Sequence, residues 1–335
     1  MKRALVKLGL AKPAVASVAC LAFLSIALAP LGVRAQDFPA KPIRVVVPWP
    51  PGSNVDITAR TLATAFGAAL GTAIVVDNKP GAGGTIGTGI VAKAPADGYT
   101  LLLGSTASVT IAPSVYKTVD FDPIKDLVAI GPVHNTAMVL TAAPKTPVAN
   151  YREFLALAAG RAGQLSIATP GTGSTNHLAV EMLSMQAGIK LLHVPYKGAG
   201  PALNDLTSSQ VEMMMDQTPP SLPHIKEGRI KGIAVTSEKR LALLPDVPTL
   251  DELGLKGFQA STFTALFGPA GIPPDVLAKL VAAHAKAMAD PKVRELYIGM
   301  GAEIIDMNRE QFALFVKADF EKWLKVVKAA GITAE

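Results

Sequence analysis

The residues that could do chemistry in this sequence do not form a catalytic pattern. Its five histidines stand too far apart for a local metal-binding motif: they are His134, His177, His193, His224 and His284. The sequence contains neither the Gly-x-Ser-x-Gly pattern of serine hydrolases nor the Gly-x-x-x-x-Gly-Lys pattern of P-loops. A relaxed dinucleotide-binding pattern at 87–92 starts about ten residues after the nearest predicted strand, too far for a phosphate-binding turn. We therefore predict a protein that is not an enzyme and needs no cofactor or metal ion.

Six segments rich in glycine, hydroxyl residues, asparagine and proline offer a different chemistry. Each follows a predicted strand, and they are 48–56, 78–85, 104–108, 169–177, 195–201 and 216–219. Such segments present backbone N–H groups, hydroxyls and helix N-termini, which suit an anion. Glycine and serine are also common in ordinary turns, so no single segment is diagnostic. Their repetition after several strands favours a binding site for an anion.

Few charges occur inside these segments. Lys79 and Lys197 are their only basic residues, and we interpret both as solvated turn lysines. An anion would then be held by neutral donors, whose hydrogen bonds to a charged group contribute about 1.5–3 kcal/mol each. The alternative is a clamp made by one of the two lysines.

Strands and helices must alternate to bring these segments together. Short β-branched apolar runs predict strands at 43–47, 74–76, 100–103, 138–142, 165–168, 191–194, 211–215 and 232–235. Amphipathic stretches predict helices, for example at 57–70 and at 151–159 after an N-cap at Asn150. The C-terminal part predicts helices at 274–289, 291–300 and 309–330 and short strands at 263–267 and 303–305. This alternation indicates an α/β fold in which helices flank mainly parallel sheets.

The length of 335 residues and the placement of proline and glycine indicate two lobes. Breaks at 144–147 and 245–257 bracket a middle lobe. We expect lobe I to comprise 36–137 and 258–335 and lobe II to comprise 138–257, with the C-terminal helices completing the outer layer of lobe I.

The first 35 residues have the pattern of a secretory signal peptide, with an uncleaved membrane anchor as the alternative. They hold five basic and no acidic residues, and an apolar run at 14–29 precedes Pro30 and a cleavage pattern that ends at Ala35. The rest of the chain has 27 basic and 26 acidic residues, which removes the electrostatic basis for binding nucleic acid. Cys20 is the only cysteine, so an exported chain would contain no disulfide.

A series of motifs, taken in order, resembles the Bug receptors. They are PWPPGSNVD (48–56), NKPGAGG (78–84), ADGYTL (96–101), VPYKG (194–198), AVTS (234–237) and PDVPT (245–249). Bug receptors are the extracytoplasmic solute-binding proteins of tripartite tricarboxylate transporters, and the resemblance covers residues 37–335. Ser53 stands where the family usually has a second glycine, so the identity of the ligand is not carried over.

The resemblance implies a periplasmic, monomeric protein of two-lobe, Venus-flytrap architecture. Such a protein closes over a small organic carboxylate and delivers it to the inner-membrane subunits of a tripartite tricarboxylate transporter. Trp49 either covers an apolar part of the ligand or packs within its own loop. Sensory presentation of the same ligand to a membrane protein and, further off, an exported hydrolase are the alternative functions. The ligand-binding residues that the resemblance implies are Trp49, Gly52, Ser53, Asp56, Ser105, Thr106, Ser108, Thr172, Ser174, Asn176, Asp216 and Gln217.

Overall fold

Strands and helices alternate through residues 38–333, the part of the chain that the computed structural model describes. The strands are β1 (Ile43–Val47), β2 (Ile74–Asn78), β3 (Thr100–Ser105), β4 (Leu127–Ala142), β5 (Ser166–Thr169), β6 (Leu192–Pro195), β7 (Met213–Gln217), β8 (Lys231–Val235), β9 (Ser261–Pro269) and β10 (Glu303–Ile304). The helices are α1 (Asn54–Leu70), α2 (Thr85–Ala92), α3 (Ala112–Val115), α4 (Tyr151–Gly160), α5 (Thr175–Ala187), α6 (Ala199–Thr207), α7 (Thr218–Lys226), α8 (Pro274–Met288), α9 (Pro291–Gly299) and α10 (Arg309–Ala330). The predicted signal peptide and Cys20 lie outside the described residues.

The strands form one mixed sheet in the order β2-β1-β3-β9-β4-β7-β5-β6, with β8 and β10 also paired to β4. Parallel strands lie on its two flanks, where β1 pairs with β2 and β3, and β5 pairs with β6 and β7. The antiparallel strands β9 and β4 join the flanks. The predicted α/β fold with parallel strands and flanking helices is confirmed. Among the described residues, no helix combines the length and apolar character that a bilayer span requires.

β4 is much longer than the strand predicted at 138–142. Its first part, 127–137, contains Gly131, Pro132 and His134, which interrupt the apolar pattern expected of a strand. The pairing with β9 shifts register twice in this stretch, between Ala129 and Gly131 and between Pro132 and His134. A Cβ atom at Gly131 would lie 2.3 Å from Nδ1 of His284, so the backbone passes the imidazole at a distance that only glycine allows.

Among the hydrophobic clusters of the described residues, one lies around β1, β3 and β9 and another lies around β5, β7 and α5. α8 packs against α1, as expected of a helix that completes the first lobe. α10 differs from the prediction because it packs on both clusters, with Phe312 in the first and Trp323 in the second. The predicted boundary between residues 137 and 138 falls inside β4, and the division into two lobes stays a prediction.

Candidate functional site

A cavity of about 1000 Å³ lies where strands from both flanks of the sheet end. Segments that follow β1, β2, β3, β5, β6 and β7 line it, at positions within 49–57, 80–84, 105–107, 170–176, 197–200 and 216–223. Ligands of open α/β sheets bind outside the carboxyl ends of the strands, and this volume suits a small molecule. The polar segments singled out in the sequence therefore meet at one place.

A smaller groove of about 460 Å³ lies between α5 and α10. Its lining is mainly hydrocarbon, with Glu321, Lys322 and Lys325 as its charged residues. Because none of the polar segments reaches this groove, the larger cavity is the candidate site.

Five helices begin at the wall of the cavity. The first residues of α1, α5 and α6 are part of the lining, and so are the residues that precede α2 and α7. Two of the N-caps are serines: Ser53 Oγ accepts a hydrogen bond from Asp56 N at 3.2 Å, and Ser174 Oγ accepts one from His177 N at 3.2 Å. Helix N-termini carry partial positive charge, and those without proline in the first turn, unlike α7, also present backbone N–H groups, so their convergence favours a bound anion.

The structure brings nine of the twelve predicted ligand-binding residues to the cavity. Those that line it are Trp49, Gly52, Ser53, Ser105, Thr172, Ser174, Asn176, Asp216 and Gln217. Asp56, Thr106 and Ser108 do not line it, because each is buried behind the wall and bonded to other parts of the protein.

Asp56 shapes the first loop from behind. Its carboxylate accepts hydrogen bonds from Gly52 N at 2.8 Å and from Asn78 Nδ2 at 2.9 Å, and it forms an ion pair with Arg60 at 3.0 Å. Burial raises the pKa of Asp56, but these hydrogen bonds and the guanidinium together outweigh burial and hold the pKa below its ordinary value. The carboxylate is therefore charged at neutral pH and fixes the loop that presents Gly52 and Ser53.

Thr106 and Ser108 play a similar supporting part in the helical segment after β3, where Ala107–Ile111 form a π-helix. Thr106 Oγ1 accepts a hydrogen bond from Phe263 N at 2.9 Å, which joins this segment to β9. Ser108 Oγ accepts from Ser105 N at 3.1 Å and lies 3.2 Å from the carbonyl oxygen of the same residue. Ser105 in turn accepts a hydrogen bond from Trp49 Nε1 at 3.3 Å. The indole is thus held in its loop and also faces the cavity, so the two interpretations of Trp49 are compatible.

The opposite wall contains a carboxyl group whose environment is quite different. Asp216 is 1% exposed, and burial raises its pKa to about 7 despite hydrogen bonds from Ser221 Oγ and the Gln217 backbone. Its Oδ1 atom has no hydrogen-bond partner among the described residues. A carboxyl group in this state titrates near neutral pH, which sets it apart from Asp56.

Gln217 links parts of the cavity wall that are distant in sequence. Its Oε1 accepts a hydrogen bond from Asn54 Nδ2 at 3.2 Å, and its Nε2 donates to Thr262 Oγ1 at 3.3 Å. Asn54 and Thr262 both line the cavity and were missed as ligand-binding residues. The position of Asn54 inside the first polar segment is a signal that could have identified it, whereas Thr262 is brought near only by the pairing of β9.

Tyr116 also lines the cavity and was missed, because it follows a short helix rather than a strand. Its ring packs against the glycine-rich loop after β2, where a Cβ atom at Gly83 would lie 2.6 Å from Tyr116 Cε2. In the same loop, a Cβ atom at Gly84 would lie 2.6 Å from Ser108 Cβ. Glycine is required here by close packing as well as by positive φ angles.

The two lysines of the polar segments have different surroundings. Lys79 Nζ forms an ion pair with Asp77 at 3.3 Å and is not part of the cavity lining. Lys197 is exposed, as expected of a solvated turn lysine, but it does line the cavity. Among the described lining residues, Lys197 and Asp216 are the ones with a formally charged side chain, and residues 38–333 contain no cluster of metal-ligating side chains.

Known proteins share this sequence and fold over nearly the whole chain. The family model described as the tripartite tricarboxylate transporter family receptor matches residues 58–332. BugT of Bordetella pertussis is 34% identical over 316 residues, covering 93% of this chain and 97% of BugT. The solved structure of the periplasmic binding protein BugD is 39% identical, with a TM-score of 0.79, and covers 89% of this chain and 100% of BugD. MatC from Rhodopseudomonas palustris, solved with bound malate, is 31% identical with a TM-score of 0.78 over 87% of this chain and 100% of MatC.

Proposed function

The chain belongs to the tripartite tricarboxylate transporter family of receptors, and from this premise we propose that it captures a small organic carboxylate in the cavity and delivers it to a membrane transporter of that type. The predicted resemblance to Bug receptors is confirmed. Family members are periplasmic solute-binding proteins, so the prediction of a binding protein rather than an enzyme is also confirmed.

The convergence of five helix N-termini on one cavity carries the proposal. A carboxylate placed there meets backbone N–H groups and the side-chain hydroxyl or amide groups of six of the nine lining residues from the predicted set. The malate bound by MatC supports a carboxylate as the ligand class.

A thermal-shift panel of organic acids tests the ligand class. The panel contains citrate, L-malate, succinate, adipate and benzoate, with uncharged sugars as controls. A ligand present at 100 times its dissociation constant should stabilise the folded protein by about 2.7 kcal/mol. Stabilisation by sugars and by none of the acids would refute the proposed ligand class.

A pair of threonine variants tests whether the cavity holds the ligand. Thr172→Val removes an exposed hydroxyl from the lining with little change of shape, and it should weaken binding of whichever acid gives the largest shift. Thr118→Val is the matched control, because Thr118 is also exposed but lies outside the lining. Equal affinities for the two variants would place the ligand elsewhere.

The remaining parts of the proposal concern delivery and processing. Deletion of the gene should abolish uptake of the bound acid, whereas normal uptake with lost gene induction would indicate the sensory alternative. We expect the exported protein to be a monomer that begins at Gln36 after cleavage near Ala35, which intact mass and light scattering can measure. The scattering radius should shrink with ligand if lobe I (36–137 and 258–335) and lobe II (138–257) close on it.

A further inference from the structure

Two histidine rings stack directly behind the glycine-rich segment 169–174 of the cavity wall. The rings of His177 in α5 and His193 in β6 have centroids 3.9 Å apart and planes inclined by 8°. Each ring bonds to one end of the segment: Gly173 N donates to His177 Nδ1 at 3.1 Å, and Thr169 Oγ1 lies 2.7 Å from His193 Nε2. The two imidazoles therefore support the segment that presents Thr172 to the cavity.

The hydrogen bond from Gly173 depends on the protonation state of His177. Because Nδ1 of this ring accepts an N–H, it carries no proton, and the neutral ring must hold its proton on Nε2. Nε2 points toward Glu181, with its Oε1 at 3.6 Å. A second proton, placed on Nδ1, would make this ring atom a donor that faces another donor, the N–H of Gly173. Protonation of His177 and the hydrogen bond from Gly173 thus exclude each other.

The partner ring resists a second charge. Burial and, to a smaller extent, the neighbouring His177 lower the pKa of His193 to about 4, although Glu181 acts in the opposite direction. Glu181 itself has a lowered pKa because His177 lies beside it, against the raising effect of burial. Elements that pack on α5 or adjoin the segment carry further charged groups, namely Asp216 in β7, Lys197 after β6, and Glu321, Lys322 and Lys325 on α10.

We propose that His177 and His193 are positioning residues of the binding cavity, and that protonation of His177 releases the glycine-rich segment and weakens ligand binding. The receptor then retains its ligand at neutral pH and loses affinity in acid. The effect on affinity rests on the proposed function, whereas the effect on the segment does not.

An isosteric variant separates positioning from proton sensing. Asn Oδ1 occupies nearly the place of His Nδ1 and can accept from Gly173 N, but an amide does not titrate. His177→Asn should therefore keep the segment in place without responding to pH. His177→Leu should lack the hydrogen bond to Gly173 N, and thus the positioned segment, at every pH. His224→Asn is the control, since it removes a partly buried histidine that does not bond to the segment.

NMR of the ligand-free protein tests the mechanism directly. As the pH is lowered, the Gly173 amide resonance should move together with the ring resonances of His177. The same amide should stay still in His177→Asn and should move as in the wild type in His224→Asn. A wild-type Gly173 amide that stays still as the pH is lowered would overturn the proposal, even if His177→Leu fails to fold.

Affinity provides the second test, with an equimolar mixture of citrate, L-malate, succinate and adipate as the probe. Wild-type affinity should fall about fivefold or more between about pH 7.5 and about pH 5, and His177→Asn should lose most of this dependence. Titration of the acids and of Asp216 is common to both proteins and cancels in the comparison. Equal pH dependence in the two proteins would refute the proposal, whereas no binding to the wild type would count against the proposed function and leave the NMR result to decide.

Discussion

Replacement of Asp216 by asparagine should stabilise the protein at high pH, although it removes a buried hydrogen-bonding group. Asp216 is 1% exposed, Oδ2 accepts a hydrogen bond from Ser221 Oγ at 3.0 Å, and Oδ1 has no partner among the described residues. Burial, the largest influence, raises the pKa of this carboxyl from 3.8 to about 7. Ionisation of this carboxyl therefore lowers the free energy of unfolding.

The magnitude follows from the difference between the folded and unfolded pKa values. At about 1.36 kcal/mol per pKa unit, a rise from 3.8 to about 7 corresponds to about 4 kcal/mol once the group is fully ionised. Between these two values the folded protein holds a proton that the unfolded chain has lost, so stability falls as pH rises. Asparagine removes this penalty but leaves a new buried N–H group without a partner, which costs about 1–3 kcal/mol at every pH.

Urea unfolding at about pH 5 and about pH 8 measures the effect. Asp216→Asn should be close to the wild type or slightly less stable at the lower pH and about 1–3 kcal/mol more stable at the higher pH. Asp56→Asn is the matched control, because this buried carboxyl has a lowered pKa. Its stabilising effect is present above the unfolded pKa of 3.8 and is lost only in stronger acid, so Asp56→Asn should destabilise by the same amount at both pH values.

The reasoning would be refuted if Asp216→Asn destabilised the protein equally at both pH values, as expected for Asp56→Asn. That outcome would mean that Asp216 is charged in the native protein and that an unseen donor compensates its Oδ1 atom.

Three further changes test the cavity. Lys197→Ala should weaken carboxylate binding several-fold at low salt and little at high salt, since exposed charges are screened over about 10 Å at 0.1 M salt. Calorimetry measures the change in affinity, with Lys79→Ala as a control that should not affect binding. Gly84→Ala should lower the free energy of unfolding by at least about 1–2 kcal/mol through its positive φ, whereas Gly200→Ala, where a Cβ has open space, should not. Ser105→Ala should weaken binding about tenfold in the same calorimetric assay, because it removes a hydroxyl donor and frees the indole that this serine holds.

The strands with uninterrupted apolar runs could be predicted from the sequence. β1 has the predicted bounds, α4 begins after the predicted N-cap Asn150, and α10 has the predicted bounds 309–330. In contrast, α7 contains three prolines, two of which stand in its first turn, where the missing N–H has no intrahelical role. The first part of β4 was not predicted because it contains Gly131 and Pro132. These residues lie where the pairing with β9 shifts register, and Gly131 also passes close to His284. Such contacts form only in the folded protein and leave no periodic pattern in the sequence.

The candidate site could be predicted as a set of segments but not as a set of contacts. A hydroxyl residue in a glycine-rich segment has the same appearance whether it faces the ligand or supports the loop, and the structure separates Ser105, on the wall, from Ser108, behind it. Residues that reach the cavity from other elements, such as Tyr116 and Thr262, carry no local signal because folding alone brings them there.

The character of the cavity explains why residue types alone describe it poorly. Much of its wall is glycine, proline and helix N-terminus, so the groups that an anion would meet belong largely to the backbone. Backbone donors bind only where the chain is held in place, and here the side chains that hold it lie one layer back. Asp56 fixes the first loop, Ser108 fixes the loop after β3, and the His177–His193 pair fixes the segment after β5. Lys197 and Asp216 are charged groups of the wall itself, but Asp56, His177 and His193 lie in the supporting layer, so changes at these three should act on the ligand by moving the backbone.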